Sequence, residues 1–348
     1  MKKRILAFIL SILLIILSVS SFIGCFQINK GTTQTFDYFD TYSMLTTYCP
    51  RQEFVACTAE FDSILEKYHR LFDIYNSYDG TVNLKDLNEK AHLSPVAVSE
   101  ELFDALTLAK ELYTVTNGRF NVAIGALTSI WHDAREHSTK NPDDAYIPTQ
   151  EQINEALSHT DISSLVLDAE NKTVYYSNPE LLLDFGAIAK GYVASVLYER
   201  FIELGIESFI INLGGNVASH GTKPQNKPWV IEIENPFDDK SLGYGNPIEL
   251  NDTTVVTSGS YQRYFTYNGV QYSHIIDANS GYPTDIFASV SIQAPSNKSA
   301  LADALSTALF CMPYEEGLAI IEGLDGVEAL WIFKDGGFIA TSGFGGAK

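Results

Sequence analysis

From residue 165 onward the chain carries short apolar or β-branched runs separated by Gly, Asn and Pro. They are Leu165–Leu167, Thr173–Tyr176, Phe209–Ile211, Trp229–Ile233, Thr254–Val256 and Ser289–Ile292. Helical patterns interrupt them at about 187–204, 299–311 and 314–323, without a strict βαβ alternation. Strands closed by tight turns and mixed with helices in this way predict an α+β fold: mixed, mainly antiparallel sheets with flanking helices. The Ala329–Thr341 stretch, with Asp335-Gly336 at its centre, predicts a closing hairpin. Upstream, apolar residues at helical spacing from Glu53 to Phe72 predict one helix. Ser99, followed by Leu102, Leu106, Ala109 and Leu112 and stopped by Asn117-Gly118, predicts a second. Phe36–Tyr48 reads as a strand and residues 138–149 as a polar loop. No internal repeat or low-complexity linker divides the chain, so residues 35–348 are expected to form one domain.

The N-terminus reads as an export segment. Lys2, Lys3 and Arg4 precede an apolar run from Ile5 to Val19, and Gly24-Cys25 follows. A basic start, an apolar run and a small residue before a cleavage point define a secretory signal over residues 1–24. Gly24-Cys25 resembles a bacterial lipobox, which makes Cys25 a lipid-modified anchor to the outer face of the cell membrane. An uncleaved single span is the alternative. Residues 25–34 read as a tether.

The remainder is acidic. Of 23 Lys/Arg and 43 Asp/Glu, three basic residues lie in 1–24, so residues 25–348 carry 20 against 43, a formal charge of −23. That excludes nucleic acid as a partner and a polybasic grip on lipid. Phosphates would have to be held by local devices: a helix N-terminus, backbone amides or a metal. Cys49, Cys57 and Cys311 show no metal spacing and read as buried side chains with at most one disulfide.

Several segments carry chemistry, and each has an ordinary reading beside it. In Leu181–Gly191 an apolar strand ends at Asp184, and Gly186 turns the chain into a helix with Lys190 in its first turn. Such a helix start can hold an anion, or it is a plain strand–turn–helix connection. Asn212–Asn216 places two glycines after a buried strand, for close backbone approach to a ligand or for a tight turn. Thr257–Arg263 gathers hydroxyls around Gly259. His274 and Asp277 stand three apart before an Asn279–Gly281 turn, and a His there suits proton transfer. In Ser299–Phe310 the apolar face is Leu301, Ala304, Leu305, Ala308 and Leu309. Asp303 and Thr307 share a side one turn apart, next to Ser306. A carboxylate, a hydroxyl and a carbonyl suit Mg2+; a helix with a polar stripe is the plain alternative. P-loop and Rossmann patterns do not occur.

Taken together and in order, DFGAIAKGY, INLGGN, TSGSYQR, HIIDANSGYP and ADALSTALF resemble the FAD:protein FMN transferase family, the ApbE-like flavin transferases. Phe39-Asp40-Thr41 resembles the family's opening motif, and Arg119-Phe120-Asn121 resembles its flavin-meeting segment, where many members carry Asp instead of Asn121. The resemblance implies a Mg2+-dependent transferase that cleaves FAD, attaches FMN through a phosphoester to a Thr or Ser of an exported redox protein, and releases AMP. It implies an FAD cleft lined by Phe39, Arg119, Phe120, Asn121, Asp184 and Lys190, with Asp184 toward the adenine and Lys190 toward the phosphates. It implies Mg2+ on Asp303, Thr307 and the Ala187 carbonyl, with Ser306 where some members have a second Asp. His274 is then the base near the pyrophosphate and Asp277 orients its loop. Hydrolysis of FAD to FMN and AMP, or flavin or solute capture by a lipoprotein without chemistry, are the competing expectations.

Overall fold

The computed structural model describes residues 28–237 and 247–345. The expected signal, Cys25 and its lipid lie outside the described residues. Along the chain come β1 (Asn29–Thr35), β2 (Ser43–Cys49), α1 (Arg51–Phe72), α2 (Leu84–Lys90), β3 (Val96–Ala97), α3 (Glu100–Val115), α4 (Gly125–Lys140) and α5 (Gln150–Leu157). They are followed by β4 (Leu165–Asp168), β5 (Thr173–Tyr176), α6 (Ala189–Glu203), β6 (Phe209–Leu213), β7 (Asn216–His220), β8 (Trp229–Ile231), β9 (Ile248–Leu250) and β10 (Thr253–Gly259). Then come β11 (Tyr264–Tyr267), β12 (Val270–Ser273), β13 (Phe287–Pro295), α7 (Ser299–Phe310), α8 (Tyr314–Glu322), β14 (Glu328–Phe333) and β15 (Phe338–Ala340).

The main sheet has eight strands in the order β1-β2-β6-β7-β10-β13-β14-β15, and every pairing in it is antiparallel. The α+β expectation is met. Both faces of the sheet are covered, and the strand sequences say why. Neighbouring apolar residues point to opposite sides, so Ile211, Val256, Ala329 and Trp331 enter the core beneath α1, α6 and α7. Ile210, Val255, Leu330 and Ile332 meet Trp229, Ile248 and Leu250 of the small β8–β9 ribbon. A third cluster joins Leu127, Trp131 and Ala134 of α4 and Ile153 and Ala156 of α5 to Phe265 near the β11–β12 ribbon, with Tyr272 packed against it.

Local chemistry sets the ends of the elements. The Ser99 hydroxyl accepts from the Leu102 amide, as expected of a cap. The same helix ends with Asn117 at φ 51 and bonds from Gly118 N to Tyr113 O and from Asn117 N to Thr114 O, the Schellman arrangement. The reading of Phe36–Tyr48 as one strand and 25–34 as a tether is corrected in part. Residues 29–35 are an edge strand, with the Thr32 and Thr46 hydroxyls 3.1 Å apart across the ladder. Phe36–Tyr42 leaves the ladder because Phe39 and Asp40 both take left-handed backbone, φ 56 and 49, in a turn closed by Thr41 N to Tyr38 O. The expected strand at Leu181–Asp184 is extended but pairs with no strand. Asn88 substitutes for one, accepting from Leu183 N at 2.8 Å and donating to Leu183 O at 3.0 Å. Helix α7 is buried nearly all round, not on one face. The 138–149 loop begins later than expected, because α4 continues to Lys140.

The two glycines between β6 and β7 differ in kind. Both need positive φ, 59 at Gly214 and 94 at Gly215. A Cβ on Gly214 would also lie 2.1 Å from Thr41 Oγ1, whereas nothing lies within 4 Å of one on Gly215. Gly215→Ala is therefore expected to cost about 1–2 kcal/mol from backbone strain alone. Gly214→Ala adds overpacking of about 1–3 kcal/mol. Thermal denaturation of the two variants should show the larger drop for Gly214→Ala; equal drops would contradict the close approach.

Candidate active site

Helices α6 and α7 meet at a glycine. A Cβ on Gly191 would stand 2.4 Å from Asp303 Cβ and 2.4 Å from Ser299 O. Its absence lets the Gly191 amide donate to Asp303 Oδ2 at 2.8 Å. Asp303 is 3% exposed. Burial raises the pKa of its carboxyl, while the Lys190 charge and the Gly191 amide favour the carboxylate. Because the Gly191 N–H turns to Asp303, it does not close a turn on Ala187. The neighbouring helical bonds at this end run from Ala189 N to Phe185 O and from Tyr192 N to Ile188 O. The Ala187 carbonyl is thus without an amide donor among the described residues.

The hydroxyls of α7 form a directional chain. Ser306 Oγ donates to Asp303 O at 2.9 Å and lies 2.8 Å from Ser258 Oγ. Ser258 Oγ lies 3.3 Å from Thr307 Oγ1. Ser306 has spent its proton on the carbonyl, so Ser258 donates to Ser306 and Thr307 donates to Ser258. Thr307 keeps lone pairs for a ligand, whereas Ser306, 0% exposed, serves as scaffold.

Among the described residues no three His, Cys, Asp or Glu cluster as a metal site. The oxygens of Asp303, Thr307 and Ala187 are nonetheless a hard-donor set with one carboxylate, which suits a cation that keeps waters and takes further ligands from phosphates. The expected Mg2+ residues fit such an ion in chemistry.

His274 also feels the Lys190 charge. Its Nδ1 lies 3.1 Å from Arg263 O, which also accepts its backbone amide at 3.0 Å. A carbonyl cannot donate, so Nδ1 carries the proton and Nε2 is the free base of the neutral ring. Protein crowds the imidazole although one side is open to solvent. That crowding disfavours the cation most. The Arg263 carbonyl bond opposes it, and the charges of Arg263, Arg135 and Lys190 reinforce it, so the pKa falls to about 4. Asp277 organises the following turn, accepting from Asn279 N and Ser280 N and, through its carbonyl, from Gly281 N.

The remaining expected residues divide. Asp184 is at the surface of the same region and accepts from Gly186 N and Thr128 Oγ1, each at 2.8 Å. Phe39 is half-buried, its ring edge-on to His69 at 5.6 Å. The 119–121 segment does not present its side chains to a cleft. Phe120 is 1% exposed in the core. Asn121 caps a short turn through Ala123 N and donates to Thr160 O. Arg119 clamps Asp277 at 3.3 Å and Glu316 at 3.2 Å and donates to Cys311 O. Arg119 thus braces the His274 loop through Asp277. Arg135 and Arg263 went unnoticed as site residues in the sequence. A lone Arg on a helix carries no local signal, and only the packing of α4 on β11 brings the two together. A groove of about 590 Å³ lined by Glu60, Tyr192, Glu199 and Arg200 contains none of these groups.

The ApbE family pattern matches residues 32–331. This chain belongs to the ApbE family. It is 33% identical over 281 residues to a FAD:protein FMN transferase of Klebsiella pneumoniae, covering 78% of this chain and 84% of that one. With a FAD:protein FMN transferase of Treponema pallidum it shares 34% identity over 279 residues, 75% and 73% of the two chains. The ApbE protein of Thermotoga maritima superposes with a TM-score of 0.79 at 26% identity, covering 90% of this chain and 97% of that one. The flavin transferase ApbE of Vibrio cholerae gives 0.73 at 27% identity, with 90% and 97% covered. That enzyme is also known as a His→Gly mutant.

Proposed function

We propose that this ApbE-family member is a Mg2+-dependent FAD:protein FMN transferase acting outside the cytoplasm, anchored through Cys25 behind a signal at 1–24. The observation that carries the reading is the Gly191 contact that sets the buried Asp303 carboxyl against the start of α6 beside Lys190, together with a His274 whose Nε2 is left free. Family membership supplies the flavin and the protein acceptor.

Mg2+ on Asp303, Thr307 and the Ala187 carbonyl would neutralise charge developing on the phosphate oxygens. Lys190, at the start of α6, holds phosphate beside the helix amides. His274 Nε2 takes the proton from an acceptor Thr or Ser hydroxyl. That oxygen bonds to the FMN phosphorus as the anhydride P–O bond breaks, and AMP leaves with the electron pair. The Arg263 carbonyl keeps the imidazole in the tautomer that accepts at Nε2. Asp277 and Arg119 hold its loop in place. The acceptor is an exported protein, in keeping with the anchor.

Incubation of the soluble domain with FAD, Mg2+ and a flavin-acceptor domain should give a covalent FMN mass adduct and stoichiometric AMP. FMN and AMP without an acceptor, and no adduct with one, would replace transfer by hydrolysis. Bound but intact FAD would reduce the protein to a flavin carrier.

A further inference from the structure

Resting on the FAD reading above, we propose that Arg135 and Arg263 form a guanidinium pair that grips the diphosphate of the dinucleotide independently of the metal. Arg135 lies on α4 and Arg263 just before β11. Helix α4 packs on the β11–β12 ribbon through Trp131, whose ring stacks on Tyr272 at 5.7 Å, and Tyr272 stacks in turn on Phe265 at 5.5 Å. Arg263 holds the His274 ring and amide on its carbonyl, and its charge acts on Arg135 and on His274 alike.

Their bonding is unusual for this chain. Arg70, Arg119 and Arg200 each pair with at least one carboxylate. Among the described residues Arg135 and Arg263 have no carboxylate within 4.0 Å. Arg135 Nη2 lies 3.1 Å from His132 Nδ1, and Arg263 Nη2 donates to Asp40 O at 3.0 Å. Arg51, at the start of α1, also has no such partner, and it and Arg263 are both exposed. Arg263 differs in holding the His274 ring on its carbonyl, and Arg135 in being half-buried within reach of the Arg263 charge. Both site arginines are therefore oriented by acceptors other than carboxylates; the Glu136 charge that acts on Arg135 is itself paired with Lys140.

In a protein with 43 acidic residues against 23 basic ones, adjacent cations without a counterion mark a place kept for an external anion. The strain is visible at Arg135, whose pKa is lowered first by burial and then by Arg263. After one bond each, four N–H donors remain on each guanidinium, in the planar fork that matches phosphate oxygens. The bond from Arg263 to the Asp40 carbonyl gives a second role. It fixes the Arg263 side chain against the left-handed Phe39-Asp40 turn.

Flavin-fluorescence titrations in EDTA test this with FAD and riboflavin as probes. For Arg135→Gln and Arg263→Gln the Kd for FAD should rise about tenfold or more, while the Kd for riboflavin, which lacks phosphate, stays at the wild-type value. Arg135→Lys should recover part of the loss, and the salt dependence of FAD binding should flatten in both Gln variants. Wild-type FAD affinity in both variants would overturn the pair, as would equal losses for FAD and riboflavin. The two proposals fail separately. A wild-type protein that forms adduct and AMP alongside variants of unaltered FAD affinity keeps the transferase and loses the clamp. Phosphate-dependent binding that the variants weaken, without adduct or AMP from the wild type, keeps the clamp and loses the transferase.

Discussion

Asp303→Asn is expected to abolish FMN transfer, by about 10²–10⁴-fold, without weakening the metal-free fold. Asparagine has the same shape, and its Oδ1 still accepts the Gly191 amide now bound at 2.8 Å. What disappears is the one carboxylate in the hard-donor set, and with it several kcal/mol of charge stabilisation at the phosphates. The stability side has a definite sign. Burial raises the Asp303 pKa in the folded state, so the native protein favours the protonated acid. This group's contribution to stability is fully present below the unfolded pKa, about 3.9, and is lost as pH rises through the higher folded value. Asn keeps the hydrogen bond and removes the ionisable group, and with it this loss of stability as pH rises. Melting curves in EDTA should show Asp303→Asn as stable as the wild type or more so. Added Mg2+ with FAD should raise the wild-type Tm and leave the variant unmoved. A variant that turns over FAD, or one that melts well below the wild type, would contradict this account of the site.

His274→Gln should lower transfer by about 10²–10⁴-fold, the usual range for a positioned base, and should also change the pH profile. In the free enzyme the imidazole has a pKa depressed to about 4. The wild-type kcat/KM should stay level from pH 8 to about 5 and fall as the ring is protonated near 4. Phosphates placed beside it oppose the cations that depress it, so the limb in kcat, which reports the bound complex, should lie at higher pH. Linkage runs the same way for stability. The unfolded ring titrates near 6.5, so the stabilising contribution of His274 is present above that value and declines as pH falls toward 4. The Gln variant should lose the acid limb in its residual activity. An unchanged limb would assign it to another group, and undiminished transfer would remove His274 as the base.

The braces behind this loop explain why the site was only half legible in the sequence. Asp303 meets the start of α6, next to Lys190, because a glycine lets two helices touch. That glycine stands in the quoted motif DFGAIAKGY, with the aspartate in ADALSTALF. Local sequence was sufficient there, since each half of the contact lies within one helix start or one helix turn. Arg119, Phe120 and Asn121 were also legible as a motif, but their side chains turn inward, to Glu316, the core and Thr160. A motif records which residues a fold needs, whether for contact or for support.

Helix caps, the β6–β7 turn glycines and the alternation that covers both faces of the sheet all follow from residues near in sequence. Local backbone preference and side-chain period are short-range properties. The sequence by itself determined the α+β class and the family. Tertiary structure alone decided that Arg135 and Arg263 meet without a counterion, that Asn88 replaces a missing strand beside Leu183, and that Lys190 couples the carboxylate to the imidazole. Those contacts join segments tens to more than a hundred residues apart. Burial and the long-range summation of charge, rather than any local pattern, determine what they can do.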